Sequence, residues 1–399
     1  MTADSAAQPP VDVRRPFRLV VSGGGTGGHT YPALTAVRAL QARLAAAGGS
    51  LEVLWIGSAN SLESRVAGAE GIPFSAVATG KVRRDRNPLK MLSGANMKDM
   101  AKVPVGANEA RSLVAKFKPD VVLATGGYVT VPVGLAAKMT RRPLVVHEQT
   151  VRLGLANKVL ARFAARVALS SESSVELLPE NARSAAIVTG NPVRPAVLAG
   201  EPQKAIEALG LQGFDPALPT VYVTGGAQGA QQINRLIREI LPWLLTQANV
   251  LHQCGPANLE DLQAFTATLP VELAAQYHVT GYLGSELPDV LALADVVVSR
   301  SGAGTVAELT ALGKAAVLIP YGAAAGNEQA HNAQHLADHD AAVALLGDVT
   351  PDQLRSAVAP LLADPYRRRQ IADNARAQGR PDAADRLVDV LLSVAKATS

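Results

Sequence analysis

Four glycine-rich runs, each directly behind a stretch of β-branched and apolar residues and ahead of a segment with helical periodicity, constrain this chain more than any other feature. They read GGGTGGH (23–29), ATGGYVTVP (124–132), VTGGAQGA (223–230) and SRSGAGTVAE (299–308). A strand that ends in glycine and turns into a helix is half of a parallel βαβ unit. The strand-like runs are 17–21, 51–56, 120–124, 143–146 and 186–189, then 220–224, 249–253, 277–280, 295–299 and 315–319. Each half of the chain holds enough of them for its own doubly wound sheet. Glycine at such turns also lets backbone N–H groups approach an anion at a helix N-terminus, where the dipole adds to the attraction. Ligands of open α/β sheets lie at the carboxyl ends of the strands, so the two halves are expected to face each other across one cleft.

The length of 399 residues and a hydrophobic fraction of 48% support two domains with separate cores. The stretch TGNPVRPAVLAGEPQ (189–203), interrupted by three prolines and two glycines, reads as the hinge. The expected division is an N-terminal tail over 1–15, a first domain over 16–194, a second over 195–374, and a segment 375–399 whose last helix packs back on the first domain. The single cysteine, Cys254, excludes a disulfide framework and a cysteine-rich zinc site, and fits a reducing compartment. Neither a signal peptide nor a spanning helix is expected. With a net charge of +4 and 4% aromatic residues, no nucleic-acid partner is expected.

The net charge hides a local excess. Segment 81–102 carries seven basic residues, among them Arg83, Arg84, Arg86 and Lys90, against two acidic ones, with Leu89 and Leu92 interspersed. Basic residues beside apolar ones can hold a protein on anionic lipid, so this segment is expected to contact a membrane surface.

Gly23, Gly25 and Gly28 match the spacing GxGxxG, yet a dinucleotide site also needs an acidic residue at the end of the second strand, where this chain has Gly57 and Ser58. A dehydrogenase is therefore not expected. The helix after this turn is expected to start around Pro32. His29, on a loop at a strand end, suits a proton acceptor. Glu148, in HEQT at the end of the fourth strand-like run, is either a rival base or a strand-end carboxylate that orients His147 or caps the next helix. The string Asp338–His339–Asp340 reads as a helix-end charge cluster, and no metal site is expected.

The series GGGTGGHTYPALTAV, TGGYVTVPVGLAA, HEQT with GLANKVLARFA, GNPVR, GGAQGAQQIN, SRSGAGTVAEL and NEQAHNAQHL resembles, in order, the MurG family of bacterial glycosyltransferases, from about residue 17 to the C-terminus. The resemblance implies a GT-B fold, with two Rossmann-like doubly wound parallel-sheet domains facing a central cleft. It implies inverting, metal-independent transfer of N-acetylglucosamine from UDP-N-acetylglucosamine (UDP-GlcNAc) to the C4 hydroxyl of undecaprenyl-diphosphate-linked muramyl-pentapeptide, converting lipid I to lipid II in peptidoglycan synthesis. It also implies no cofactor and a peripheral position on the cytoplasmic face of the membrane.

By the same resemblance His29 is functionally essential, as base or as acceptor-binding group. Thr26, Gly27, Gly28 and Tyr128 serve the acceptor side. Arg194 serves the donor, with leaving-group charge met by it and by helix dipoles. Glu308 takes the ribose diol behind the Gly304–Thr305 turn, and Gln329 the sugar hydroxyls. Ala227, Gln228 and Gly229 form the diphosphate turn, with Leu283 and Thr150 counted in the substrate-binding set. The chain departs from the family pattern at Thr150, where asparagine is usual, at Ala227, where serine is usual, and in the Ala-rich loop before Asn327. Two other readings share the donor chemistry: a UDP-GlcNAc 2-epimerase, which would lack an acceptor site, and a nucleotide-binding partner of a membrane subunit. His29, Glu148, Arg194 and Glu308 together in one chain speak against the latter.

Overall fold

The computed structural model describes residues 15–80, 94–322 and 325–396, with backbone alone at 94–100, 325 and 396. Arg83, Arg84, Arg86, Leu89, Lys90 and Leu92, expected to contact a membrane, lie outside the described residues. The chain divides into two compact units: residues up to Pro192 together with those from Asp382 onward, and Val193–Pro381.

The first unit carries seven strands: β1 (Phe17–Ser22), β2 (Leu51–Gly57), β3 (Phe74–Ala76), β4 (Val121–Ala124), β5 (Leu144–Glu148), β6 (Arg166–Leu169) and β7 (Ala186–Val188). They pair in parallel in the order β3-β2-β1-β4-β5-β6-β7. A parallel strand with helices on both sides is buried on both faces, which is why the central strands carry consecutive apolar residues, such as Leu19–Val21 in β1 and Val121–Ala124 in β4. In β1, Leu19 and Val21 join one core with Trp55, Leu123 and Leu387, while Val20 joins the other with Ile56, Val122 and Val146. The helix Ala383–Lys396 packs its Leu387, Val388 and Leu391 into the first of these cores beside Leu40 and Leu44 of the helix Gly27–Ala46. Arg43 bridges Asp385 at 2.9 Å and Asp389 at 3.1 Å across the same contact.

The second unit repeats the design with β8 (Thr220–Thr224), β9 (Asn249–Gln253), β10 (Tyr277–Thr280), β11 (Val296–Ser299), β12 (Ala315–Leu318) and β13 (Val343–Ala344), in the order β10-β9-β8-β11-β12-β13. Val221 and Val223 face one core with Ile233, Leu236 and Ile237, and Tyr222 faces the other with Leu251 and Val297.

Both sheets reverse their winding once, between β1 and β4 and between β8 and β11. These are the topological switch points, where the crossover helices leave in opposite directions and open a crevice beyond the strand ends. The four glycine-rich runs are the four turns that follow these four strands.

One helix start differs from expectation. The helix opens at Gly27, five residues before Pro32, because the N–H of Thr30 already closes the first turn on the Thr26 carbonyl at 3.1 Å. Pro32 then lies inside the helix and removes a single backbone bond. His29 consequently sits in the first helical turn.

Candidate active site

In the first unit the turns after β1 and β4 are interlocked. Gly24 N–H donates to the Gly126 carbonyl at 3.3 Å, and Thr125 Oγ1 donates to the His29 carbonyl at 2.8 Å. A Cβ on Gly23 would collide with Thr125 Oγ1, and one on Gly127 with the Gly24 carbonyl. Gly126, at φ +106°, leaves room for the His29 ring: a Cβ there would stand 2.8 Å from His29 Nδ1. Thr26 is the N-cap of the helix that carries His29, and its hydroxyl makes no cap bond. Tyr128 is half-buried with its ring edge over Gly25, beside Thr26, Gly27 and Gly28 at the helix start.

Behind His29 runs a chain of polar contacts. His29 Nδ1 lies 3.0 Å from Gln149 Oε1. Gln149 Nε2 lies 2.9 Å from His147 Nδ1 and 3.0 Å from the His147 carbonyl. His147 Nε2 lies 2.9 Å from the Gly190 carbonyl. His147 is fully buried, and that burial drives its pKa down to about 4. His29 Nε2, in contrast, has no partner among the described residues.

Glu148 points elsewhere. One carboxylate oxygen accepts from the Thr150 N–H at 3.2 Å and its hydroxyl at 3.0 Å; the other accepts from the Gly154 N–H at 2.8 Å and Asn157 Nδ2 at 2.9 Å. Three N–H donors fix the carboxylate, and the single proton of the Thr150 hydroxyl is shared between Glu148 and the Arg152 carbonyl. Glu148 therefore ties the 150–154 loop to the start of the helix Leu155–Leu160. Thr150 is buried with its hydroxyl turned to Glu148 and the Arg152 carbonyl, inside the loop.

Glu63 was not anticipated. The acidic residue sought at the end of the second strand is absent there, but Glu63, fully buried on the following helix Leu62–Ala69, accepts from the N–H groups of Ser58 and Gly25 at 3.2 Å each. It braces the first glycine turn against β2. The only sequence signal was a lone carboxylate six residues behind Gly57, in a helix start capped by Ser61.

In the second unit a cleft of about 970 Å³ opens at the switch point, lined by Gly225, Gly226 and Gly229 after β8, by Arg300, Gly302 and Thr305 after β11, and by Asn327 and Gln329 beyond β12. Three helices, Gln231–Leu244, Ala303–Leu312 and Glu328–Asp338, begin there, and none of their N-cap residues makes a side-chain cap bond. The β8 turn is built to a fixed shape: Gly226 N–H donates to Thr224 Oγ1 at 3.0 Å, Gln253 Nε2 donates to the Gly226 carbonyl at 3.2 Å, and Tyr222 holds Gln253 at 2.7 Å. Gly229 passes so close to the Cys254 carbonyl that only glycine fits.

Of the donor residues expected from sequence, Gly229, Thr305 and Gln329 line this cleft. Gln329 Oε1 accepts from the Tyr321 N–H at 2.9 Å, so its amide is held from one end. Arg194 and Glu308 bond to each other, and Glu308 lies one turn beyond Thr305 on the same helix as Gly304. Ala227 and Gln228 are exposed at the apex of the β8 turn, outside the lining. Leu283 is buried in the hydrophobic core with Val290 and Leu291. Arg300 is an addition: its Nη1 donates to Gln232 Oε1 at 2.9 Å and to the Ile319 and Pro320 carbonyls at 3.0 and 2.9 Å, and burial lowers its pKa. Its place directly behind β11 is legible in the run SRSGAGTVAE, where the glycines are the stronger signal. Asp340 is ion-paired with Arg367 at the end of the helix Glu328–Asp338. Among the described residues no three His, Cys, Asp or Glu side chains gather as a metal set, and no helix is long and apolar enough to cross a membrane.

Residues 19–169 match the glycosyltransferase family 28 N-terminal domain and residues 220–387 its C-terminal domain. The chain is 35% identical over 382 residues, 95% of its own length and 100% of the relative's, to the "UDP-N-acetylglucosamine--N-acetylmuramyl-(pentapeptide) pyrophosphoryl-undecaprenol N-acetylglucosamine transferase" of Listeria welshimeri serovar 6b. It superposes on Acinetobacter baumannii MurG with a TM-score of 0.72 at 26% identity, covering 95% of this chain and 100% of that one. The chain belongs to the MurG family. A putative UDP-N-acetylglucosamine 2-epimerase from Listeria monocytogenes, at TM-score 0.63 and 14% identity over 93% of this chain and 95% of that one, shares the fold alone. Membership in the MurG family makes the chain a glycosyltransferase, and its two parallel sheets are those of the GT-B fold.

Proposed function

We propose that this chain transfers N-acetylglucosamine from UDP-GlcNAc to the C4 hydroxyl of lipid-linked muramyl-pentapeptide with inversion at the anomeric carbon. The match to a relative named for that transfer, over 95% of this chain and all of that one, carries the reading, and the geometry is compatible with the following residue roles. His29 Nε2 takes the proton of the acceptor hydroxyl as that oxygen attacks the sugar C1. The bond from C1 to the diphosphate breaks on the opposite face, and UDP leaves with the electron pair. Glu148, engaged by three N–H donors of the 150–154 loop and Asn157, holds that loop in this reading and leaves the base role to His29.

The departing diphosphate is met in the second unit by the β8 turn, by the helix N-termini at the cleft and by Arg300, groups that oppose charge as it develops. Glu308 takes the ribose diol and Gln329 Nε2 a sugar hydroxyl. Thr26, Gly27, Gly28 and Tyr128 form the acceptor side. Segment 81–102 rests the first unit on the anionic membrane surface where a lipid-linked acceptor resides, so the protein works as a peripheral membrane enzyme. Incubation with UDP-GlcNAc and lipid I, with products read by mass, tests the assignment. Gain of one N-acetylhexosamine on the lipid with release of UDP is expected. Release of N-acetylmannosamine without acceptor would overturn it in favour of the epimerase.

A further inference from the structure

We infer that Gln149 and His147 are positioning residues that fix the ring tautomer of His29, holding the proton on Nδ1 and presenting Nε2 as a lone pair. The Gly190 carbonyl can only accept, so His147 Nε2, at 2.9 Å, carries a proton. His147 is fully buried and, with a pKa of about 4, neutral near pH 7, so its Nδ1 is bare. Two acceptors, that Nδ1 and the His147 carbonyl, then converge on one end of the Gln149 amide at 2.9 and 3.0 Å. Only the NH₂ end satisfies both; a flipped amide would set oxygen against oxygen and leave the imidazole lone pair unpartnered. Gln149 Oε1 is thereby turned to His29, and the Nδ1 it meets at 3.0 Å must donate.

The neutral His29 ring is left with an unprotonated Nε2, the reverse of the tautomer that a free histidine side chain favours. Each joint is fixed by its surroundings. Gln149 is 3% exposed, Asn157 Nδ2 holds the His147 carbonyl at 3.1 Å, and Gly126 clears space for the His29 ring. The amide is required for its two unlike ends. A carboxylate at 149 would face the His147 lone pair and carbonyl with no proton to give. A histidine base in the wrong tautomer is disabled even when its position is right.

The tautomer assignment stands on geometry; its catalytic consequence rests on the reading of His29 as the base. The test uses the full chain labelled with ¹⁵N-histidine and long-range ¹H–¹⁵N correlation near pH 7, with His29 assigned by loss of its signals in His29→Ala. The wild type is expected to show the Nδ1–H pattern at His29. Gln149→Met, which keeps side-chain length but neither donor nor acceptor, is expected to shift His29 toward Nε2–H. It should lower kcat at least about tenfold, with KM for UDP-GlcNAc within about twofold of wild type. An Nε2–H pattern in the wild type overturns the inference without any variant, as does an unchanged His29 pattern in folded Gln149→Met. Full transfer by His29→Ala would instead overturn the base reading and leave the tautomer assignment standing.

Discussion

Arg194 and Glu308 form an ion pair, Nη2 to Oε1 at 2.9 Å with Nε of the same guanidinium at 3.3 Å, so a single carboxylate oxygen takes both contacts. The other oxygen has no hydrogen-bond partner among the described residues. The guanidinium is 43% exposed and the carboxylate 19%, a setting in which such a pair adds at most ~1 kcal/mol of stability. Glu308→Gln should therefore leave the urea midpoint nearly unchanged while raising KM for UDP-GlcNAc about 10- to 100-fold, the loss of a hydrogen bond to a charged group. A 2′-deoxyribose donor separates this from a general defect. Wild type should discriminate against it and Glu308→Gln should not; equal discrimination by both would remove Glu308 from the ribose.

Gly126→Ala tests the interlocked turns. At φ +106° an L-residue is strained, and the new Cβ would press on the His29 ring. Transfer should fall by about 100-fold, the scale of losing a well-placed base, while UDP-GlcNAc binding by the second unit is retained. Gly48→Ala is the control: its φ of +78° brings similar backbone strain, but no atom stands within 4 Å of the added Cβ. Equal losses of turnover in the two variants would show that strain, not the ring contact, is responsible.

Glu148→Gln separates the two carboxylate roles. Three N–H donors converge on Glu148, so an amide NH₂ placed among them faces at least one N–H and costs about 1–3 kcal/mol of stability. Turnover of the folded variant should fall less than about tenfold, against 10²–10⁴ for His29→Ala, and the acidic limb of the pH–rate profile, where the base takes up its proton, should keep its position. Abolished turnover in a fully folded Glu148→Gln would restore the carboxylate as base.

The strands around both switch points were legible because a parallel strand buried on two faces carries consecutive apolar and β-branched residues, as Val221–Val223 do within Thr220–Thr224 and Val250 and Leu251 within Asn249–Gln253. Three strands escaped. Phe74–Ala76 and Val343–Ala344 are edge strands of three and two residues, too short for any period, and Arg166–Leu169 is a four-residue run behind an alanine-rich segment. His29 stood out at the end of a glycine run, whereas Arg194 and Glu308 were picked out by the family resemblance of the motifs that hold them. Glu63, Gln149 and Arg300 act through partners 38, 120 and 68 residues away, and no local pattern records such pairings.

Two buried histidines make stability depend on pH. His252 is fully buried between Tyr277 OH at 2.9 Å and Asn234 Oδ1 at 3.0 Å, with its pKa lowered by burial to about 3; His147 is lowered to about 4. Unfolded, both titrate near 6.5. As pH falls below that value the unfolded chain gains protons that the folded chain refuses, so stability is complete above 6.5 and declines through pH 5. The decline is ~1.4 kcal/mol per pH unit for each group in the unit that contains it. Urea midpoints between pH 7 and pH 5 should fall for wild type, and His252→Gln should lower the slope of the second unit's transition. An identical slope in that variant would mean that His252 is protonated in the fold.

The membrane proposal rests on charge in segment 81–102. Seven basic residues against two acidic ones give a local excess of five where the whole chain has +4, so the rest of the protein is close to neutral or slightly acidic and adds no long-range attraction of its own. With ~1 kcal/mol for each basic residue near an anionic surface, reversing Arg83, Arg84 and Arg86 to glutamate changes that segment by six charges and should weaken co-sedimentation with phosphatidylglycerol vesicles by at least about 100-fold. Zwitterionic vesicles should bind both proteins poorly. Turnover of a water-soluble acceptor analogue should be unaffected, whereas turnover of vesicle-embedded lipid I should fall with binding. Co-sedimentation that survives the reversal would place the membrane contact on another surface, and the apolar residues Leu89 and Leu92 would then have no lipid to meet.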